Sequence, residues 1–164
     1  MKVSESPLLR RHAGSPAILD ANLLLLLWCA DFDPSLVRRF KRLNSFQASD
    51  VRLLDEALSV FSVVRTTPHV LTEVSNLANS LPEVVKEDWS EYLAARIQVI
   101  PEDWIPAASL STNPLLWLGI TDAALASLSQ SHVIITIDFP LSNSLESRGL
   151  RVINFTHLRD IGFA

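Results

Sequence analysis

Residues 17–27 read Ala-Ile-Leu-Asp-Ala-Asn-Leu-Leu-Leu-Leu-Leu, and this stretch decides the fold. A short apolar run ends at Asp20, and a helix-forming leucine run follows at once. We interpret the stretch as a buried strand over 17–20 that leads into a helix over 21–30. Because ligands of open α/β sheets bind beyond the carboxyl ends of parallel strands, Asp20 is either a helix N-cap or a functional carboxylate.

The composition indicates one folded domain. The chain has 164 residues, of which 48% are hydrophobic and 20% are charged, enough to bury a sizeable core. The net charge of −4 disfavours a protein that coats long nucleic acid through phosphate contacts, but it permits a local nucleic-acid site. The single cysteine, Cys29, is interpreted as a buried thiol. With no secretory signal or membrane span visible in the sequence, we expect a cytoplasmic protein.

Predicted strands alternate with predicted helices along the chain. Further strands are predicted over 62–66, 98–100, 133–137 and 150–155, and helices over 33–43, 49–61, 67–78, 82–97, 121–128 and 140–148, where Thr121 caps the helix over 121–128 and Thr156 caps a terminal turn. This order predicts a three-layer α/β/α sandwich around a mostly parallel sheet. Residues 1–15 are expected to form a loose leader whose order the sequence leaves open, and 16–164 a single domain.

Four acidic residues share a placement in this predicted fold. Asp20 and Asp138 end predicted strands, whereas Glu73 and Asp122 lie in the early turns of predicted helices. Strand ends and helix starts lie at the same edge of such a sheet, so we expect all four carboxylates to converge there.

Converging carboxylates repel each other unless a cation neutralises them. Their oxygens suit Mg²⁺ or Mn²⁺, and an acidic metal cluster suits two-metal hydrolysis of phosphodiesters. The alternative is structural: Asp20 and Asp138 cap helices, and Glu73 and Asp122 complement helix dipoles in first turns.

Four segments resemble, in order, the motifs of the PIN domain family. They are Ile18-Leu19-Asp20-Ala21-Asn22-Leu23-Leu24, Thr67-Pro68-His69-Val70-Leu71-Thr72-Glu73-Val74, Gly119-Ile120-Thr121-Asp122-Ala123-Ala124-Leu125 and Ile135-Thr136-Ile137-Asp138-Phe139. The resemblance covers roughly residues 17–156. It implies a PIN-like fold and a metal-dependent endoribonuclease, of which the VapC-like toxins of toxin–antitoxin pairs are examples.

The resemblance also implies roles for single residues and for partners. Asp20, Glu73, Asp122 and Asp138 would be catalytic and would bind Mg²⁺ or Mn²⁺. Thr136 would support the cluster by hydrogen bonding, and Asn22 would hold the first loop. RNA would be the substrate, with an antitoxin protein and a second copy of the chain as further partners and no membrane. The segment 31–62 is longer than the usual link and is expected to add an inserted helical pair.

A second hypothesis is a PIN-like protein-interaction module with weak or no nuclease activity.

Two weaker sequence signals have both a functional and a structural interpretation. His69, four residues before Glu73, is either a substrate contact or a surface or capping histidine. The basic run of Arg38, Arg39, Lys41 and Arg42 is either a contact to RNA or a solvated helix face.

Overall fold

The computed structural model describes residues 2–162, and its centre is a parallel β-sheet. The strands are β1 (Pro16–Leu19), β2 (Val63–Arg65), β3 (Val133–Thr136) and β4 (Val152–Asn154), in the spatial order β2-β1-β3-β4. Every pair of neighbouring strands among the described residues runs parallel, with Ile18 opposite both Arg65 and Ile134. The predicted α/β class with a mostly parallel sheet is therefore confirmed.

Nine α-helices lie within residues 2–162. They are α1 (Pro7–Arg10), α2 (Ala21–Phe32), α3 (Leu36–Arg39), α4 (Ala48–Leu58), α5 (Pro68–Ala78), α6 (Lys86–Val99), α7 (Ile120–Leu128), α8 (Phe139–Glu146) and α9 (Phe155–Gly162). Short 3₁₀-helical turns lie at Val3–Glu5, Lys41–Leu43, Glu83–Val85, Ala107–Leu110 and Leu116–Leu118. Helices connect successive parallel strands, an arrangement compatible with a three-layer sandwich.

The central elements form where apolar residues run without interruption. All four residues of β3 are buried, as expected for a parallel strand covered on both faces. Helix α2 is apolar on nearly every side and buries most of its length, which makes it the central helix of the fold. Cys29 on this helix is fully buried, and burial raises the pKa of its thiol to about 12. The predicted buried thiol is thereby confirmed.

Residues 2–15 pack against the rest of the chain. Ser6 caps α1 by accepting a hydrogen bond from the backbone N–H of Leu9. Val3 and Leu9 are buried in the main hydrophobic core, because apolar side chains at these positions find a surface on the domain. Residues 2–15 thus contribute side chains to the core, where the sequence suggested a loose leader. Met1, Phe163 and Ala164 lie outside the described residues.

The inserted segment contains one full helix rather than a helical pair. The predicted helix over 33–43 is interrupted at Phe40, which has extended backbone angles and a buried side chain. Burying this aromatic ring ends α3 after four residues. The following helix, α4, lies within one residue of the predicted start but ends three residues before the predicted end at 61. It begins with a capping box in which the Asp50 carboxylate accepts the backbone N–H of Gln47.

Three smaller predictions are also wrong. Residues 98–100 form no strand, since α6 runs through Val99. Thr121 does not cap α7, because the helix begins after Gly119, whose φ of +127° favours glycine. Thr156 does not cap α9; instead Asn154 Oδ1 accepts the backbone N–H of Thr156 at 2.9 Å. Among residues 2–162, no helix is long and apolar enough to cross a membrane.

Candidate functional site

The candidate site lies at the carboxyl edge of the sheet, where β1 and β3 end side by side. Asp20 directly follows β1 and is 6% exposed. Asp138 follows β3 after one intervening residue and is exposed. Helices α5 and α7 pack against each other and carry Glu73, which is exposed, and Asp122, which is half-buried.

Hydrogen bonds hold the Asp20 carboxylate in one orientation. Its Oδ1 accepts the backbone N–H of Leu23 at 2.8 Å, which caps α2. Its Oδ2 accepts the Thr136 hydroxyl at 2.5 Å and the backbone N–H of Ile137 at 2.9 Å. The ends of β1 and β3 are therefore joined through this one side chain.

Burial and hydrogen bonding act on the Asp20 carboxyl in opposite directions. Burial disfavours the charged form and raises the pKa, whereas the bonds from Thr136, Leu23 and Ile137 lower it. Burial is the larger effect, so the pKa of Asp20 lies above its ordinary value.

The half-buried Asp122 lies within electrostatic reach of the other three carboxylates. Its pKa is raised to about 7, first by burial and then by the charges of Asp138, Glu73 and Asp20. The four acidic residues that the sequence singles out therefore lie near one another, and each additional negative charge at this edge costs free energy.

No side chain within residues 2–162 neutralises these charges. Salt bridges form at other acids, including Asp33, Asp50 and Asp103, but none reaches the four carboxylates at the sheet edge. In the same range no three His, Cys, Asp or Glu side chains stand close enough to form a ready-made metal cage. Uncompensated carboxylates repel each other, which favours this wider spacing.

The oxygens at the edge suit a hard divalent cation. Glu73 and Asp122 accept no side-chain hydrogen bond from the described residues, and Asp138 uses only Oδ1, which accepts the backbone N–H of Leu141 at 2.7 Å. Free carboxylate oxygens on partly exposed side chains are the donors that Mg²⁺ and Mn²⁺ prefer. The donor set therefore fits the metal that the sequence pattern predicts.

The structural alternative accounts for part of this arrangement. Asp20 and Asp138 both cap helices, as that alternative predicts, each with one oxygen. Asp122 lies in the first turn of α7. Glu73 lies in the second turn of α5, whose first turn has no acidic residue, so the dipole explanation is wrong for Glu73. Capping and ligand binding are compatible here, because an ionised carboxylate has about four lone-pair sites. Asp20 accepts three hydrogen bonds, and Asp138 accepts one.

The two supporting residues differ in what the structure shows. Thr136 is fully buried, donates to Asp20, and accepts the backbone N–H of Asp138 at 2.9 Å. It thus connects the Asp20 carboxylate to the backbone of Asp138. Asn22 is exposed, and its side chain forms no hydrogen bond within residues 2–162, so nothing there assigns it the predicted role of holding the first loop.

A groove of about 270 Å³ adjoins the carboxylates between the N-terminal halves of α5 and α7. It is lined by Pro68, His69, Thr72, Glu73, Ile120 and Thr121. Sequence reasoning missed Ile120 and Thr72 as candidate site residues. The available signal was an apolar residue placed directly after the break at Gly119 and two positions before Asp122.

The basic run lies away from this edge. Helices α2 and α5 begin at the carboxyl edge and run to the opposite one, where Arg42 Nε donates to Ser80 Oγ at 3.5 Å. Arg38, Lys41 and Arg42 are exposed, and Arg39 pairs with Asp33 at 3.0 Å. The solvated-face interpretation of this run therefore fits its position better than a contact to substrate at the carboxylates.

No protein-family model, curated protein or solved structure matches this chain. The PIN-domain resemblance stays a prediction that rests on the four quoted segments.

Proposed function

We propose that the chain is a metal-dependent endoribonuclease with a PIN-like fold that hydrolyses RNA phosphodiester bonds. The observation that carries the proposal is a set of four carboxylates at one edge of the sheet, Asp20, Glu73, Asp122 and Asp138, with no cationic side chain paired to them among residues 2–162. Burial and the other three carboxylates raise the pKa of Asp122 to about 7. Strongly perturbed acids at a cleft are typical of functional sites. A bound cation would relieve the repulsion.

Each carboxylate has a part in this proposal. Asp20, held by three hydrogen bonds, would be the fixed ligand that sets the position of the cation. Asp122, Glu73 and Asp138 have free oxygens and would complete the ligand set. When bound, Mg²⁺ or Mn²⁺ activates water and neutralises charge on the phosphodiester.

The test combines titration of Mn²⁺ with RNA cleavage in the wild type, Asp20→Asn and Asp122→Asn. We expect both variants to lose Mn²⁺ binding and at least about a hundredfold in cleavage rate, because each removes a charged ligand. Asp88→Asn, at an exposed acid on α6, is the matched control and should behave as the wild type. Full cleavage by both site variants would refute the proposal.

The second candidate function is protein binding with weak or no catalysis. Large apolar side chains are exposed at Trp104, Trp117, Ile120 and Phe139, which are 73%, 71%, 53% and 67% accessible. Exposed apolar surface of this kind marks interaction sites. A nuclease that is the toxin of a cytoplasmic toxin–antitoxin pair would present the same surface to its antitoxin or to a second copy.

Metal dependence separates the two functions. A cation that binds only the folded protein raises the melting temperature, so the nuclease predicts a Mn²⁺-dependent thermal shift that Asp122→Asn abolishes. The interaction module predicts no such shift.

A further inference from the structure

The groove between α5 and α7 is continuous with the carboxylate edge. Glu73 belongs to both, and Ile120 and Thr121 in the groove wall precede Asp122 directly. Gly119, with φ +127°, turns the chain into α7. Ile120 is left 53% exposed in the first turn of that helix. A molecule bound in the groove therefore contacts this apolar side chain beside Glu73.

The groove has one uncommitted polar ring. His69 Nδ1 is buried and has no hydrogen-bond partner within residues 2–162. Nε2 of this half-buried ring also forms no hydrogen bond there. An imidazole nitrogen can donate or accept according to its tautomer. Thr72, by contrast, already donates its hydroxyl proton to the backbone oxygen of Pro68 at 2.8 Å.

The charge of the lining decides which part of an RNA strand suits the groove. None of the six lining residues is Lys or Arg, and Glu73 is acidic, so a phosphate would meet repulsion. An uncharged planar ring would pack on Ile120 and Pro68 without that penalty. The volume of about 270 Å³ lies just below the usual range of ligand sites, which favours one small planar ring over a larger ligand.

We propose that this groove binds one unpaired nucleobase of the RNA, adjacent to the phosphodiester at the carboxylates. The ring packs against Ile120, and its edge hydrogen-bonds to His69 Nε2. A base in a duplex has its Watson–Crick edge occupied and its faces stacked, so the groove selects single-stranded RNA. This inference rests on the proposed nuclease function, but binding of a base can be measured without cleavage.

The first experiment uses the four ribonucleosides, which have a base and no phosphate. They are titrated into the ¹⁵N-labelled wild-type protein in EDTA, so that neither metal nor catalysis contributes. We expect amide shifts at His69, Ile120 and Thr121, weakened in Ile120→Ala. Val84→Ala, at an aliphatic residue that is 86% exposed on another segment, is the matched control and should bind as the wild type. Shifts confined to other residues would overturn the inference.

The second experiment separates KM from kcat in cleavage of a single-stranded oligoribonucleotide. Ile120→Ala and His69→Ala should raise KM about tenfold, the lower range for loss of a base contact, while kcat changes less than about twofold. His69→Gln retains a polar edge and should recover most of the affinity. Unchanged KM in both alanine variants would overturn the inference. If the wild type cleaves no RNA, the proposed function fails, and nucleoside binding alone decides the role of the groove.

Discussion

Two buried aspartates of this protein, Asp50 and Asp20, differ in whether a cationic side chain neutralises their charge. Asp50 is 3% exposed and Asp20 is 6% exposed, and both accept backbone hydrogen bonds near helix starts. Arg159 donates to both oxygens of Asp50, from Nε at 2.9 Å and from Nη2 at 3.0 Å. Asp20 receives only neutral donors and lies near three other negative charges.

This difference indicates that Asp50 has a structural role, whereas Asp20 belongs to the candidate site. Arg159 also lies over the rings of Phe46 and Phe155, at 5.3 and 5.4 Å from their centroids, so the Asp50 ion pair ties α9 to α4. Its charges are balanced within the chain, and no ligand is needed. No cationic side chain among residues 2–162 neutralises the charge at Asp20. A cation that binds there in the folded state alone would therefore stabilise the fold.

The largest effect on stability is expected when the ion pair between Arg159 and Asp50 is broken. Arg159→Met leaves the Asp50 charge buried and unpaired, which should lower the free energy of unfolding by about 3 kcal/mol. Urea denaturation measures this change. Arg148→Met, at an exposed arginine, is the control and should change stability by less than about 0.5 kcal/mol. An equally small effect at Arg159 would remove the contrast between the two aspartates.

The next largest effect is expected when a divalent cation binds the carboxylates at the sheet edge. Mn²⁺ at about one hundred times its Kd should raise the free energy of unfolding by about 2.7 kcal/mol, since it binds the folded state alone. Asp50→Asn should retain this gain, whereas Asp20→Asn should lose it, and thermal denaturation with and without Mn²⁺ measures both. An equal gain in the two variants would place the cation elsewhere.

The pH dependence of stability sharpens the contrast further. The pKa of Asp122 is raised to about 7 in the folded protein, whereas that of an aspartate in an unfolded chain is about 4. Between these values the folded state binds more protons, so without metal the free energy of unfolding falls as pH rises from 4 to 7. After allowance for solvent screening at this half-buried group, we expect a fall of about 1–2 kcal/mol.

Asp122→Asn removes this titration. Denaturation at pH 5 and pH 8 in EDTA should show a smaller loss of stability for the variant than for the wild type. Identical pH profiles of stability would mean that the pKa of Asp122 is not raised in the folded protein.

The smallest expected effect concerns Thr136. Thr136→Val keeps the buried shape but removes the hydroxyl that donates to Asp20 and accepts from Asp138. We expect a loss of about 1 kcal/mol in the free energy of unfolding, with weaker Mn²⁺ affinity measured by calorimetry. Thr136→Ser restores the hydroxyl and should restore most of the affinity. Affinity unchanged in the valine variant would separate Thr136 from the site.

The prediction from sequence succeeded where local patterns and burial agree. The apolar runs of β1 and β3 form strands, and the predicted helix over 67–78 forms as α5. It failed where tertiary burial decides, as at Phe40, whose burial interrupts a predicted helix, and at Leu9, whose burial attaches the predicted leader. Local propensity contains no information about which surface an apolar side chain will meet.

For the candidate site, the sequence by itself determined which residues carry charge at strand ends and helix starts, because the alternation of apolar and polar runs fixes those positions. Only the tertiary structure decided that Asp20, Glu73, Asp122 and Asp138 share one electrostatic environment and that Asp50 has its own arginine. Arg159 is 109 residues from Asp50 in the chain, and charge balance at that separation depends on how the helices pack, not on any spacing in the sequence.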